Sequence, residues 1–252
     1  MLLLNRMTAV SVFAVTTTLF SSWAYAAIAL DRTRIIMDAE NRSVSLQITN
    51  ENNQLPYLAQ GWIEDQQNNK IKGPLTVLPP VQRIEAGDKS QIKVQSLPGV
   101  DLLAQDKETL FYFNLREIPP RSDKPNTLQI ALQTRIKLFW RPTALKLSSA
   151  DYNNPVQQKV TLTRIGDKYR INNPTGYYIT FVEASDRQGG KPISAFKPTM
   201  IAPKENQMMD IPAGTMGRSP VLKYVNDFGG RSLLVFQCGA TTCEVIPGAG
   251  KG

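Results

Sequence analysis

The clearest hydrophobic pattern in the chain lies at residues 128–138 (LQIALQTRIKL). Leu128, Ile130 and Leu132 alternate there with polar or small residues. An apolar residue at every second position is typical of a strand with one apolar face. The preceding residues 119–127 contain three prolines among charged and small polar residues, which predicts a loop. A loop followed by an apolar strand suggests a sheet edge, where free backbone groups can pair with another chain.

The rest of the chain consists of short apolar or alternating runs separated by turn residues. Few windows have the period of a helix, so the pattern predicts an all-β fold of the sandwich class. The predicted strands lie at residues 44–49, 57–64, 71–77, 92–94, 109–118, 128–140, 159–164, 168–172, 177–182, 200–201, 221–225 and 232–237.

A polar, turn-rich stretch at residues 146–158 divides this pattern into two halves. Each half is about the size of an immunoglobulin-like domain. We therefore predict two immunoglobulin-like β-sandwich domains, at residues 27–145 and 146–247, with the boundary near residues 142–149. The end of the chain, residues 248–252, is predicted to be a disordered tail.

The amino-terminal 26 residues have the features of a secretory signal peptide. Arg6 is their only charge, residues 7–20 are mostly apolar, and Ala24-Tyr25-Ala26 has the small-x-small form of a cleavage site. We expect cleavage after Ala26. A membrane anchor is the alternative, but the apolar stretch is short for a span and no second one follows.

The chain has a formal net charge of +8, which favours an acidic or carboxylate-bearing partner. Its basic residues are scattered and form no run interleaved with aromatic residues, so we expect no nucleic-acid binding. It contains no histidine, which excludes histidine-based catalytic triads and metal sites. Because paired carboxylates, P-loops and GxGxxG sequences are also missing, we expect no enzymatic activity, no cofactor and no metal.

The two cysteines, Cys238 and Cys243, flank four residues that follow an apolar run. In an oxidising compartment this spacing fits a disulfide across a hairpin. Such a small loop limits the entropic stabilisation to roughly 2 kcal/mol. Two free thiols are the alternative.

Several long segments resemble the PapD-like periplasmic pilus-assembly chaperones of the chaperone–usher pathway, and most closely the P-pilus type. The resemblance covers nearly the whole chain after residue 26 and is weakest at residues 184–217. The segments that carry it are AIALDRTRIIMD (27–38), NQLPYLAQGWIE (53–64), PPVQRIEAG (79–87), FYFNLREIPPRS (111–122), LQIALQTRIKLFWRP (128–142) and YVNDFGGR (224–231).

The resemblance implies a function and its partners. Two immunoglobulin-like domains set at an angle would hold a pilin subunit in and beside their cleft. The chaperone would complete the fold of the subunit with a strand of its own, prevent its aggregation in the periplasm, and deliver it to an outer-membrane usher. Self-association of the free protein remains open.

The resemblance also assigns roles to individual residues. Leu128, Ile130 and Leu132 resemble the strand that fills the groove of the subunit, and Arg34 and Lys137 resemble a pair that binds its terminal carboxylate. Glu108, Arg141 and Asp227 resemble a charge cluster between the two domains. Pro56 resembles a residue that contacts the usher or caps the free chaperone against self-association (self-capping).

Other interpretations of these residues remain open from sequence alone. Alternating apolar residues usually face their own core, and Arg34 and Lys137 would ordinarily be solvated, as would the nearby Arg32 and Arg135. Lys137 also lies five positions after Leu132, so in an unbroken strand it faces away from the apolar residues. Either a bulge intervenes or the cleft approaches from the other side.

A second function class is a secreted two-domain protein with a structural or carbohydrate-binding role. A carbohydrate binder should show exposed aromatic residues clustered in a loop. Trp23 lies in the predicted signal peptide, whereas Trp62 and Trp140 lie in predicted strands. The sequence therefore favours the chaperone.

Overall fold

The computed structural model describes residues 27–250, which form two β-sandwiches. The all-β prediction with two immunoglobulin-like sandwiches is confirmed. The predicted signal peptide, with its cleavage after Ala26, lies outside the described residues. No helix within residues 27–250 has the length and apolar character needed to cross a bilayer.

The first sandwich consists of two sheets, with strand orders β1-β3-β7-β5 and β2-β9-β8-β4-β6. Every pair is antiparallel except β2 with β9, which is parallel. The strands are β1 (Ile28–Leu30), β2 (Arg34–Asp38), β3 (Ser43–Asn50), β4 (Tyr57–Glu64), β5 (Leu75–Leu78), β6 (Val81–Ile84), β7 (Lys89–Ser96), β8 (Thr109–Ile118) and β9 (Gln133–Arg141).

The amino-terminal segment connects the two sheets of this sandwich. β1 pairs with β3 in one sheet, and after residues 31–33 the chain crosses to the other sheet, where β2 pairs with β9. Ile35 and Met37 of β2 are fully buried, whereas Arg34 is only partly buried. Burial of alternate residues therefore anchors β2 and leaves Arg34 at its beginning, on the face opposite the core.

The second sandwich has the strand order β13-β12-β15-β16-β17-β10-β11-β14, with all neighbours antiparallel. The first part of β16 pairs with β15 and its last part pairs with β17, so this strand passes from one layer to the other. The strands are β10 (Thr161–Ile165), β11 (Lys168–Asn172), β12 (Ile179–Ser185), β13 (Thr199–Ile201), β14 (Asn206–Pro212), β15 (Val221–Val225), β16 (Arg231–Cys238) and β17 (Thr242–Val245).

Short helical segments connect and border the sandwiches. One α-helix, α1 (Ser149–Asn153), lies between the two domains, and single 3₁₀ turns occupy Val100–Leu102, Thr143–Leu145, Val156–Lys159 and Ala213–Met216. The buried residues of the first hydrophobic core lie between Ile28 and Trp140, and those of the second lie between Val160 and Cys243. The predicted boundary at residues 145 and 146 falls in the segment between these cores.

The last described residues contact the second domain. Residues 247–250 form turns, because Ala249 donates its N–H to the Ile246 carbonyl and its own carbonyl accepts a bond from Gln188. Of the predicted tail, residues 248–250 are thus bound to the second domain, and Lys251 and Gly252 lie outside the described residues.

Candidate functional site

The apolar segment, which we define as residues 128–132, is exposed. Leu128, Ile130 and Leu132 have 84%, 63% and 42% of their surface accessible. None of them belongs to the core of the first sandwich. The interpretation that they face their own core is therefore wrong, and a row of apolar side chains is available for another molecule.

The predicted strand over residues 128–138 is only partly correct, because β9 begins at Gln133 and the apolar segment has no regular structure. The reason lies in the partner strand. β8 ends at Ile118, and Pro119 and Pro120 follow it, where the register would place them opposite the apolar segment. Prolines have no N–H to donate, so the ladder cannot continue.

A side-chain contact holds the apolar segment in this irregular conformation. Gln129 donates its amide to the carbonyl of Pro120 and accepts the N–H of Ser122 at 3.4 Å. The segment and the loop before it are thus connected by the amide of a single residue.

One side of β9 is open where it follows the apolar segment. β8 pairs with β9 from Gln133 to Trp140, but β2 covers the other side only from Lys137 onwards. Among the described residues no strand pairs with this side at residues 133–136, which we call the open edge. Backbone groups at an open edge are available for strand addition.

Arg34 and Lys137 lie opposite each other in the parallel register of β2 and β9. Arg34 Nη1 donates to the carbonyl of Val225 at 3.2 Å, and Lys137 Nζ donates to Thr180 Oγ1 at 3.1 Å. Arg34 Nε is buried and has no hydrogen-bond partner. In residues 27–250 neither side chain forms an ion pair. We call these two residues the cation pair.

The surroundings of the cation pair favour an anion. Burial lowers the pKa of Arg34, although the charges of Asp227 and Glu108 act to raise it, and burial together with the neighbouring Arg34 lowers the pKa of Lys137. Two like charges brought together out of water are stabilised by a negative ligand, which removes their repulsion. The nearby Arg32 and Arg135 differ, because they already pair with Asp31 at 2.8 Å and with Glu64 at 3.1 Å.

The register of β9 shows on which face of the sheet the side chain of Lys137 lies. Pairing of β8 with β9 runs without a shift from Gln133 to Trp140, and the bond from Glu117 N–H to the Leu132 carbonyl continues the same register. No bulge therefore intervenes. Leu138 and Trp140 are in the core, so Lys137 lies on the opposite face, and the cleft approaches from that side.

The predicted interdomain cluster is assembled in the structure. Arg141 donates to Glu108 Oε1 through Nε at 2.9 Å and Nη2 at 2.8 Å, and to Asp227 through Nη1 at 2.8 Å and Nη2 at 3.1 Å. Glu108 Oε2 also accepts the N–H of Tyr178 at 2.8 Å. Two carboxylates, one from each domain, thus bind one guanidinium between the sandwiches.

Burial dominates the titration of Glu108 in this cluster. It raises the pKa of Glu108 to about 7, although the neighbouring Arg141 and the N–H of Tyr178 both favour the charged carboxylate. Burial acts to lower the pKa of Arg141, but the hydrogen bonds that Arg141 donates to Asp227 and the charge of Glu108 raise this pKa further than burial lowers it. Arg141 therefore stays charged at the boundary between the domains.

Close backbone contacts accompany this cluster. Gly229 has φ +83°, and a Cβ there would lie 2.5 Å from Thr33 Oγ1 of the first domain. A Cβ at Gly176 would lie 2.8 Å from Leu145 Cδ1. Glycine at these two positions allows the second domain to approach the first and to place Val225 against Arg34.

Pro56 lies apart from the cation pair. It lines a cavity of about 290 Å³ with Tyr57, Leu58, Arg83, Ile118, Pro119, Pro120 and Arg121. Three large apolar side chains of this region are exposed: Leu55 in the turn before β4, Leu58 in β4 and Val81 in β6. The structure thus places Pro56 on a partly apolar surface beside the loop that leads to the apolar segment.

The predicted disulfide between Cys238 and Cys243 is confirmed, and the free-thiol alternative is wrong. The two residues are directly paired in the register of β16 and β17. The disulfide therefore closes the last hairpin of the second sandwich.

The sequence pattern does not reveal several second-domain groups that contact the first domain. Among them are the hydroxyl of Thr180, the carbonyl of Val225 and the N–H of Tyr178. The last two are backbone groups, which almost every residue type supplies, so the residue type does not mark them. Val225 lies in the segment 224–231, which is one of those that carry the family resemblance. This resemblance was the sequence signal for a functional role of the region around Val225.

Comparisons with known proteins identify the family of this chain. Two family models match: "Pili and flagellar-assembly chaperone, PapD N-terminal domain" at residues 27–146 and "Pili assembly chaperone PapD, C-terminal domain" at residues 155–235. The probable fimbrial chaperone YfcS of Escherichia coli K12 is 52% identical over 88% of this chain and 87% of its own length. Chaperone protein PapD of Escherichia coli is 45% identical over 89% and 92%. The crystal structure of the periplasmic chaperone SfaE superimposes with a TM-score of 0.67 at 26% identity, over 82% of this chain and 98% of SfaE.

Proposed function

Because this chain belongs to the PapD family of pilus-assembly chaperones, we propose that it binds pilin subunits by adding the apolar segment to them as a strand. The exposed apolar segment, which continues into the open edge of β9, carries this proposal. The complex prevents aggregation of the subunit and is delivered to an outer-membrane usher.

The apolar side chains alone do not account for tight binding. Burial of Leu128, Ile130 and Leu132 contributes roughly 1.5–3 kcal/mol each before other terms. The loss of translational and rotational freedom on association costs about 4–15 kcal/mol. A second contact is therefore required, and the cation pair supplies it through charge-assisted hydrogen bonds to the carboxyl terminus of the subunit.

The position of β2 defines the direction of the added strand. β2 runs parallel to β9 and begins opposite Lys137, immediately after the open edge. A strand of the subunit that ends in a carboxylate beside Arg34 therefore has to run in the same direction as β9. The carboxylate sets the register, because it allows only one position of the strand along the apolar segment.

The remaining assignments follow from the same family membership. The interdomain cluster holds the two sandwiches in the arrangement that forms the cleft, and Pro56 belongs to a surface for usher contact or self-capping. The chain acts in the periplasm after removal of residues 1–26. These roles involve no covalent chemistry and no cofactor.

The alternative of a carbohydrate-binding protein has less support. Trp140 is 1% exposed in the core, and Trp62 has Lys70 and Arg116 stacked on its ring at 5.6 and 5.2 Å. Neither tryptophan ring is free to pack against a sugar; the exposed aromatic side chains of residues 27–250 are Tyr152 and Phe228, whose rings pack on each other at 5.5 Å.

Substitution of Ile130 by Asp tests the proposal. We expect the variant to fold normally, because Ile130 is exposed, and to lose at least about tenfold in affinity for a refolded pilin subunit, because a charge would enter an apolar groove. Leu102→Asp is the control, since Leu102 is also exposed, at 90%. Unchanged binding by the Ile130 variant would contradict strand addition.

A further inference from the structure

The outward face of the β9-β8-β4 sheet carries a regular array of polar and aromatic residues. Across the three strands, Trp62 lies opposite Asn114 and Asn114 opposite Arg135. The neighbouring row contains Glu64, Tyr112, Lys137 and Arg34. The array is therefore continuous with the cation pair, on the same face of the sheet.

Cations stack on the aromatic rings of this face. Lys70 Nζ lies 5.6 Å and Arg116 Cζ 5.2 Å from the centre of the Trp62 ring. Arg135 Cζ lies 3.4 Å from the centre of the Tyr112 ring. Stacking holds these long side chains in place, so less conformational entropy is lost when they bind a partner. We call Lys70, Arg116 and Arg135, with the two rings, the cationic face.

The charge of the cationic face is poorly balanced. Glu64 is the carboxylate in contact with it, and it pairs with Arg135 and accepts the Trp62 N–H at 2.8 Å. Lys70 and Arg116 have no ion-pair partner within residues 27–250. Arg116 instead donates to the side chain of Gln133 at 3.2 Å. With Lys137 and Arg34 in the adjoining row, the sheet presents a strongly positive surface.

We propose that the cationic face is a second docking surface for the pilin subunit and that it recognises acidic side chains on the body of the subunit. This inference rests on the proposed function. The side chain of Lys137 lies on the same face, so a subunit carboxylate that binds Lys137 also lies on this face. Tyr112 is the direct neighbour of Lys137 in the sheet, and Arg135 stacks on Tyr112.

The chemistry predicts selection by charge. Exposed charges act over about 8–10 Å at physiological salt and raise association rates by about 10- to 1,000-fold when partner charges are complementary. Acidic subunits are then captured faster than basic ones, even if their terminal strands are identical. The cation pair and the apolar segment set how long the subunit stays bound, and the cationic face sets how fast it arrives.

The test compares association rates by stopped flow at low and high salt. The variant Lys70→Glu/Arg116→Glu reverses two charges, and Lys93→Glu is the control, because Lys93 is an exposed residue of β7 in the other sheet. With a refolded pilin subunit of net negative charge, we expect the double variant to associate at least about tenfold more slowly at low salt and to lose most of its salt dependence. A subunit of net positive charge should associate faster with the double variant.

Tryptophan emission provides an independent measurement. After residue 26 the chain contains only Trp62 and Trp140, and Trp140 is 1% exposed. Binding of a tryptophan-free subunit should change the emission of the wild type and leave that of Trp62→Phe unchanged. Lys70→Gln/Arg116→Gln is a milder pair of substitutions if charge reversal impairs folding, and it should lower the association rate in the same direction.

Two outcomes would overturn the inference, and they differ from failure of the proposed function. Equal association rates for the double variant and Lys93→Glu at low salt, or an unchanged Trp62 emission in the complex, would exclude docking on the cationic face. If the wild type itself captures neither subunit, the proposed function fails instead.

Discussion

Arg34 and Lys137 lie side by side and partly buried, and neither pairs with a carboxylate in the described residues. Their bonds to Val225 and Thr180 satisfy only part of their donor capacity, and Arg34 Nε is buried without a partner. Burial disfavours the charge of both residues, and Arg34 also disfavours the charge of Lys137, whereas Asp227 and Glu108 favour the charge of Arg34. At the scale of the residue, we expect an anion to complete such a pair.

Removal of either cation should affect binding more than folding. We expect Arg34→Ala and Lys137→Ala to weaken capture of a pilin subunit by about 10- to 150-fold, the equivalent of one charge-assisted hydrogen bond of about 1.5–3 kcal/mol. Titration calorimetry with a refolded subunit measures the loss, and thermal unfolding should show that both variants remain folded.

Two controls accompany these variants. Arg32→Ala should bind normally, because Arg32 already pairs with Asp31. A subunit extended by two glycines at its carboxyl terminus should lose affinity for the wild type but not for Lys137→Ala. If the extended subunit binds the wild type as well as the natural one, the cation pair does not bind the terminal carboxylate.

At the scale of the element, the two edges of β9 have different roles. The bond from Glu117 N–H to the Leu132 carbonyl shows that Leu132 and the alternate residues after it direct their backbone groups towards β8. Gln133 and Arg135 therefore direct theirs towards the open edge. The same strand stabilises its own sheet on one side and leaves donors and acceptors for a partner on the other.

Gln133→Pro should separate these two functions of β9. Proline at this position removes one N–H from the open edge and none from the ladder with β8. We expect about tenfold weaker binding of a pilin subunit than for the control Gln133→Ala, which removes the same side chain, with similar melting temperatures. Equal affinities of the two variants would show that the subunit does not pair with the backbone at this position.

At the scale of the whole molecule, the interdomain cluster connects the two sandwiches through a single guanidinium. Glu108 and Arg141 come from the first sandwich and Asp227 from the second. Removal of one partner from this set leaves an uncompensated charge, so we expect the arrangement of the domains to depend on all three residues.

The raised pKa of Glu108 predicts a pH-dependent stability. In the folded protein the carboxyl binds its proton up to about pH 7, whereas its ordinary pKa is 4.5. The stabilisation from protonation is therefore complete below about pH 4.5 and is lost as the pH rises through about 7. Relative to Glu108→Gln, the wild type should lose about 3 kcal/mol of its free energy of unfolding between these limits.

Denaturant unfolding at a series of pH values measures this difference. Glu51→Gln is the control, because Glu51 is exposed and takes part in no ion pair in residues 27–250. If wild type and Glu108→Gln change in parallel with pH, the carboxyl of Glu108 does not titrate in this range.

Much of the fold was predictable because strand formation here depends on local patterns. The bounds predicted for β4, β8, β11 and β15 agree with the structure, since each of these segments combines apolar residues with polar turns at its ends. β14 was missed: Asn206, Gln207 and Asp210 make it look like a loop, although Met209 and Ile211 are buried. Its partner β11 supplies a register that no local pattern contains.

The sequence by itself determined the fold class, the spacing of the disulfide, and the residue types of the apolar segment and the cation pair. Only the tertiary structure decided which way these residues point. The prolines after Ile118 end the ladder, which exposes the apolar segment, and the late start of β2 leaves the edge of β9 open. Both effects depend on what lies beside a strand, and a partner distant in sequence leaves no trace in the local alternation of apolar and polar residues.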